Sequence, residues 1–390
     1  MPTKEQIIPK GYKHTEVGVI PSDWEVKRLR DVGEIITGST PPTQIKEYWN
    51  GLIPWITPTD ISNKKDIYNS EREISFLGLQ VIRKLPANTL LVTCIASIGK
   101  NAILRADGAC NQQINAIIPS NDYNVDFLYY LIENSKQYLL GSAGITATLM
   151  ISKKDFSEIT FSIPNNPEQT AIATALSDTD ALIEKLTNLI EKKKNIKQGT
   201  MQELLTGKRR LPGFSGEWEV KKLGEVVDIK KGQLITDNTR VEGSVPVIAG
   251  GKTSAYFHNK ANRIGKTITI SGSGANAGYV AFHLTPIFAS DCSTIEESKK
   301  YSIEYIYFFL QLIQECIYKM QTGGAQPHIH PNNLSPIPIS LPEKEEQTAI
   351  ATVLSDIDAE IEKLESQLSK YQNLKQGMMQ TLLTGKIRLI

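Results

Sequence analysis

The sequence predicts an α+β protein: two globular α/β-type domains, two long antiparallel helices that pair as a coiled coil, and an internal pseudo-twofold repeat. Three observations predict it. Glu168 to Leu211, EQTAIATALSDTDALIEKLTNLIEKKKNIKQGTMQELLTGKRRL, returns as Glu346 to Leu389 without a gap and with about two thirds of its positions identical. Within each copy, apolar residues step alternately by four and three, the spacing of a narrow seam facing one partner helix. Finally, Trp24-Glu-Val-Lys and Trp218-Glu-Val-Lys open two halves whose middles diverge.

In chain order, residues 1–20 read as a polar arm punctuated by Gly and Pro, leading into a first globular domain that ends at 163. Thr89 to Ile95 and Ile114 to Ile118, rich in Val and Ile and bounded by Gly, Asn and Pro, read as strands. Val125 to Leu140 reads as a helix packed on the sheet. The first helical spacer takes 164–208. A second domain, 209–341, repeats the texture, with strands at Val245 to Ala249, Thr267 to Ser271 and Tyr279 to His283 and a helix from Ile303 to Met320. The second spacer takes 342–390.

The first helix carries its seam at Ile172, Leu176, Ile183, Leu186 and Ile190. The second carries it at Ile350, Leu354, Ile357, Ile361, Leu364, Leu368 and Tyr371. Pro164, Pro167 and Pro342 precede the helices, and Glu168, Glu345 and Glu346 lie in opening turns where the helix dipole favours negative charge. Gly207 and Gly385, in the shared Leu-Leu-Thr-Gly-Lys, are placed to end each helix in the left-handed conformation. Gly199 and Gly377 are candidate bends. At ~1.5 Å per residue, about 38 residues make a rod of roughly 55 to 60 Å, which is a spacer.

Composition narrows the class. With 390 residues, 40% hydrophobic and 22% charged in mixed signs, the chain has material for two or three folded domains. A net charge of +1 is a poor match to a freestanding nucleic-acid binder, unless other subunits supply phosphate contacts. Cys94, Cys110, Cys292 and Cys316 show no metal or disulfide spacing and read as reduced core thiols. With no signal-like start and no membrane-length apolar run, the expected location is cytoplasmic.

Nothing in the motifs reads as catalysis. Gly272-Ser-Gly274-Ala-Asn-Ala-Gly278 has the wrong spacing for a dinucleotide loop and precedes a strand, so it reads as a tight turn. Gly251-Lys252-Thr253 and Gly265-Lys266-Thr267 lack the first glycine of a P-loop, and no Cys or clustered carboxylate accompanies His328-Ile-His330 to make a metal site. The Lys192-Lys193-Lys194 run reads as a solvated helix face.

Binding is better supported. Asn and Gln match the paired donor and acceptor of adenine in the major groove. Asn111, Gln112, Gln113 and Asn115 form such a cluster, with Lys100 and Arg105 around it and Lys64, Lys65, Arg72, Arg83 and Lys84 earlier in the chain. The second domain offers His258, Asn259, Lys260, Asn262, Arg263, Lys266, Ser271, Ser273 and Asn276, then Gln326, His328 and His330. These polar loops are the candidate DNA contacts.

Taken together, Trp-Glu-Val-Lys-x-Leu opening each half, Ile98-Gly99-Lys100 before Asn111-Gln112-Gln113, Glu-Gln-Thr-Ala-Ile-Ala leading each helix and Leu-Leu-Thr-Gly-Lys closing it resemble the specificity subunit of type I restriction-modification enzymes. The resemblance implies two target recognition domains, each reading half of a split DNA sequence, with the helices fixing the gap. It also implies a non-catalytic chain on which two methyltransferase subunits carrying S-adenosylmethionine, and motor-nuclease subunits using ATP and magnesium, assemble. Two other readings stay open: a coiled-coil protein-interaction scaffold without DNA specificity, and a stand-alone DNA-modifying enzyme.

Overall fold

The Trp-Glu-Val-Lys phrases zip each globular part shut. In the computed structural model, which describes residues 8–62, 64–142, 149–235, 239, 241–323 and 326–389, Glu25–Arg28 pairs antiparallel with Thr160–Ile163, just before the first long helix. Glu219–Lys222 pairs in the same way with Pro338–Leu341, just before the second. Repeated sequence at the two ends of each divergent middle is therefore repeated because the ends are strand partners.

The chain forms two compact units, Met1–Lys185 with Leu368–Ile390, and Leu186–Gln367. The long helices, Asn166–Leu204 and Lys344–Leu382, each give part of their length to either unit. Both are helical through Gly199 and Gly377. Gly207 and Gly385 end them at φ +71° and +69°, as the sequence requires.

In the first unit a five-stranded sheet runs in the order Gly33–Thr37, Ile114–Pro119, Thr89–Thr93, Asn101–Leu104, Asp66–Ile67. A smaller sheet joins Ala109–Cys110, Trp49–Ile56 and Glu73–Ile74. Alternation along Thr89–Thr93 sorts the core. Leu90 and Val92 pack with the helix Val125–Asn134 and with Trp24, Ile172, Leu176, Leu382 and Leu383, while Leu91 packs with Ile56, Leu104 and Ile114, joining the two sheets.

The second unit repeats the plan with Lys230–Lys231, Cys292–Glu296, Thr267–Ser271 and Val280–His283 in one sheet and Tyr256–His258, Val245–Ile248 and Phe288–Ala289 in the other. Ile268, Ile270 and Ile295 face a helical core that includes Tyr305, Phe308, Leu204, Leu205, Ile350 and Leu354. The alternate residues Thr267, Thr269, Ser271 and Thr294 are buried but polar, and Thr269 Oγ1 lies 2.9 Å from His283 Nε2. Burial holds the His283 imidazole below its ordinary pKa.

Each long helix predicted inside a globular part is broken once. Val125–Asn134 and Lys136–Gly141 meet at Ser135, whose φ and ψ are −105° and 14°; Ile303–Leu312 and Gln314–Lys319 meet at Ile313, at −100° and 17°. At Ser135 the hydroxyl donates back to Leu131 O at 2.7 Å, the local bond that bends helices. Cys94, Cys110 and Cys292 are buried free thiols, pushed by burial to about 11, 12 and 12 respectively. Cys316 is exposed rather than in the core.

Within each unit the helices run antiparallel. In the first, Lys375 Nζ meets Asp180 Oδ1 at 2.6 Å. In the second, Lys197 meets Asp358 and Lys194 meets Glu365, each at 2.6 Å, and Lys193 pairs with Glu360. The lysine run is thus not simply a solvated face: two of its members reach across to the other helix. Seam residues near the globular parts, Ile172, Leu176, Ile350 and Leu354, are fully buried, and Leu186, Ile190 and Ile361 are buried with a small part of their surface accessible. Ile183, Ile357, Leu364, Leu368 and Tyr371 are half-buried, because a single partner helix covers only one side. Among the described residues no helix is long and apolar enough to cross a membrane.

The repeated Glu-Gln pairs are anchors. Gln169 Nε2 donates to Pro164 O and its Oε1 accepts from Asn124 N, so the helix start is tied to the helix Val125–Asn134. Gln347 does the same with Pro342 O and Ser302 N. Glu168 accepts from Trp24 Nε1 and Arg388, and Glu346 from Trp218 Nε1 and Arg210. These buried groups are satisfied in pairs, and the repeat preserves the Trp, Arg and proline-carbonyl partners.

Candidate nucleic-acid interface

In the first unit the amide cluster divides by strand geometry. Asn115, on a central strand, is buried, accepting from Thr37 Oγ1 at 2.7 Å and donating to Cys94 Sγ at 3.2 Å. Asn111 is also buried; its Oδ1 accepts from Gln113 N and its Nδ2 donates to Gln113 Oε1, which shapes the turn. Gln112 alone of the four is exposed, its Oε1 accepting from Thr40 Oγ1 at 2.6 Å, and among the described residues its amide donors have no acceptor.

The cations divide too. Lys65 donates to Asp126 and Ser177 at 2.7 and 2.9 Å and lies over Tyr130. Arg105 bonds Asp66, Asp126 and Asn88 at 2.6 to 2.8 Å. Both are engaged within the globular part: each is ion-paired, with 18% and 19% of the side chain exposed, which leaves less charge to offer a phosphate than a free surface cation has. Lys64 and Lys100 are exposed and, among the described residues, have no carboxylate partner.

The second unit shows the same sorting. His258 is buried, its Nδ1 against the Val241 backbone. Asn262 exchanges two hydrogen bonds with the Ala289 backbone, and Arg263 bonds Thr294 Oγ1 and the carbonyls of Asn262 and Lys231. Ser271 is buried in the sheet and Lys266 pairs with Glu304 at 2.5 Å. His258, Asn262, Arg263 and Ser271 are held within the fold, while Lys266 keeps 45% of its side chain exposed beside Glu304. Asn259 and Lys260 are exposed on a separate turn.

The other candidates of the second unit come together around the turn 272–278. Gly274 and Gly278 take φ +81° and +87°, and Gly274 N donates to Pro327 O, docking this turn on the segment that carries His328. Ser273 donates to Asp291, Asn276 caps the turn through its carbonyl, and the His328 and His330 rings stack 6.0 Å apart at 10°. Exposed Gln326 and half-buried Tyr279, with Lys252 Nζ 5.3 Å from its ring, complete the surface. Among the described residues no group of three His, Cys, Asp or Glu is placed to hold a metal.

Sequence reasoning missed the loop 38–43, which carries Thr40 and accepts from two indoles: Trp55 Nε1 donates to Ser39 O at 2.9 Å and Trp49 Nε1 to Pro42 O at 3.3 Å. Arg83 braces it by donating to Thr37 O at 2.6 Å. The signal available was the Trp49/Trp55 spacing on a strand, which reads as core.

Comparison with known proteins places this arrangement. A family model described as the type I restriction modification DNA specificity domain matches residues 21–195 and again 215–370. The MjaIX specificity subunit of Methanocaldococcus jannaschii is 28% identical, covering 97% of this chain and 96% of its own. The HindI specificity subunit of Haemophilus influenzae is 35% identical over 37% of this chain and 33% of its own. In three dimensions, the type I S subunit from M. genitalium superposes with TM-score 0.66 at 18% identity, covering 92% of this chain and 96% of that one. With both halves matched separately, the chain belongs to the type I restriction-modification DNA specificity family.

Proposed function

We propose that this chain is the sequence-reading subunit of a type I restriction-modification complex. Each divergent globular part reads one half of a split double-stranded DNA target, and the two helices set the gap between the halves. The chain itself is non-catalytic. Two methyltransferase subunits bring S-adenosylmethionine, and motor-nuclease subunits bring ATP and magnesium, in the cytoplasm. The observation that carries this reading is the pair of divergent domains mounted on matching anchors, Glu168-Gln169 and Glu346-Gln347, in a chain whose two halves both match the specificity domain. Shared phosphate contacts with partner subunits account for a net charge of only +1.

The test is exchange of residues 225–335 for those of another family member, followed by mapping of methylated sites in a host carrying the system. One half-target should change and the other persist. Simultaneous change of both halves would refute independent reading, and a complex that ignores DNA sequence would return the scaffold reading.

A further inference from the structure

Glu71, Arg72 and Glu73 stand on the rim of a concavity of about 360 Å³ whose other wall is Trp49, Asn50 and Gly51. The strand Trp49–Ile56 changes register against Glu73–Ile74 between Trp49 and Ile53, an irregularity of the kind that re-aims side chains. Asn50 there takes φ +58°, and Leu52 is 91% exposed.

Among the described residues Arg72 has no salt-bridge partner. Its guanidinium carbon lies 4.1 Å from the Trp49 ring centroid and 5.1 Å from that of Trp55, and the two rings meet edge to face. Both indoles are pinned by the loop 38–43, the loop whose Thr40 also orients exposed Gln112. The contact with both rings restrains the guanidinium, and among the described residues none of its N–H donors has a hydrogen-bond acceptor. A fork of donors is thus presented over the two indoles that the loop 38–43 holds.

The flanking carboxylates select the ligand. A phosphate would satisfy the fork but would be repelled by Glu71 and Glu73 on the same rim. The major-groove edge of a G·C pair presents guanine O6 and N7 as acceptors for the fork and cytosine N4–H as a donor for a carboxylate. We propose that Arg72, with Glu71 or Glu73 beside it, reads one G·C base pair within the half-target of the first unit. This rests on the sequence-reading function argued above.

The experiment is selection from randomised duplexes by the full-length chain in complex with its partner subunits, for wild type, Arg72→Ala, Arg72→Lys and the double variant Glu71→Gln/Glu73→Gln. Wild type should return a bipartite target with a G·C pair in the half that belongs to the first unit. Arg72→Ala should lower discrimination at that one pair by about 5- to 150-fold and leave the other positions alone. Arg72→Lys keeps the charge without the planar fork and should not restore discrimination, while the double Gln variant should weaken the preference at the same pair. Thermal unfolding of each variant separates misfolding from misreading, and the lysine variant carries the test where alanine unfolds. Equal loss across all sequences, with a shallower salt dependence, would make Arg72 a phosphate contact and overturn the proposal. So would an unchanged selection. If wild type selects no sequence, the reading function itself fails, and this assignment with it.

Discussion

Arg388 donates through Nε and Nη2 to both carboxylate oxygens of Glu168, at 2.6 and 2.8 Å, joining residues 220 positions apart. Its copy Arg210 forks onto Glu346 at 2.6 Å through each nitrogen. The two forks are equivalent in geometry but not in chain connectivity, since Arg210 follows the first long helix and precedes its own domain, whereas Arg388 arrives from the C-terminal end. Arg388 also grips Asp23, and that hydrogen bond holds the Asp23 carboxyl below its usual pKa.

Breaking this fork should destabilise the first unit. Glu168 is 4% exposed, so Arg388→Met leaves a buried carboxylate with only the Trp24 indole as partner. A loss of about 3 kcal/mol is expected in urea unfolding. Arg388→Lys should recover little, because a point charge does not reproduce two parallel bonds. Wild-type stability in both variants would show that the strand pair, not the fork, closes the unit.

Glycines of the repeat should split into two classes. At Gly199 and Gly377 an added Cβ meets nothing within 4 Å, so alanine should stabilise either helix by about 1 kcal/mol, shown as a raised melting temperature. At Gly385, φ is +69° and a Cβ would come within 2.5 Å of Pro21 Cγ, so alanine should destabilise. A stabilising Gly385→Ala would contradict the tight closure of that helix end.

Gln112 and Gln113 should separate in a binding assay. Gln112→Ala removes an exposed amide and is expected to relax discrimination at one position by roughly 1 to 3 kcal/mol, with the fold intact. Gln113→Ala deletes the acceptor of Asn111 Nδ2 and should lower thermal stability as well as affinity. Circular dichroism beside the binding curves distinguishes the two; matching behaviour would remove Gln112 from the reading surface.

The second unit should weaken in mild acid. His283 is depressed below its ordinary value of 6.5 by burial, so between the folded and unfolded pKa values the unfolded chain binds more protons. Its contribution is complete above about pH 6.5 and declines as pH falls toward the folded pKa. His283→Gln, which keeps an acceptor for Thr269, should flatten the dependence of the melting temperature between about pH 7.5 and 5. An unchanged slope would place the acid sensitivity elsewhere.

The amino-acid sequence by itself determined the duplication, the antiparallel helix pair, the glycine stops and the family, because those features are written in local spacing and in a repeat. Ile172, Leu176, Ile350 and Leu354 were legible as seam, and Thr89 to Thr93 as strand, from periodicity alone. Only the tertiary structure decided which polar residues are free. Asn115 and Gln112 look alike in the sequence, yet one is consumed by Thr37 and Cys94 inside a sheet and the other faces solvent. Lys65, Arg105 and Arg263 read as basic surface until Asp126, Asp66 and Thr294 are brought beside them from distant strands and helices. Arg72, an unremarkable charge in the chain, becomes a fixed donor fork because Trp49 and Trp55 are folded beneath it. A side chain's availability depends on partners far away in sequence, and only the packed fold supplies them.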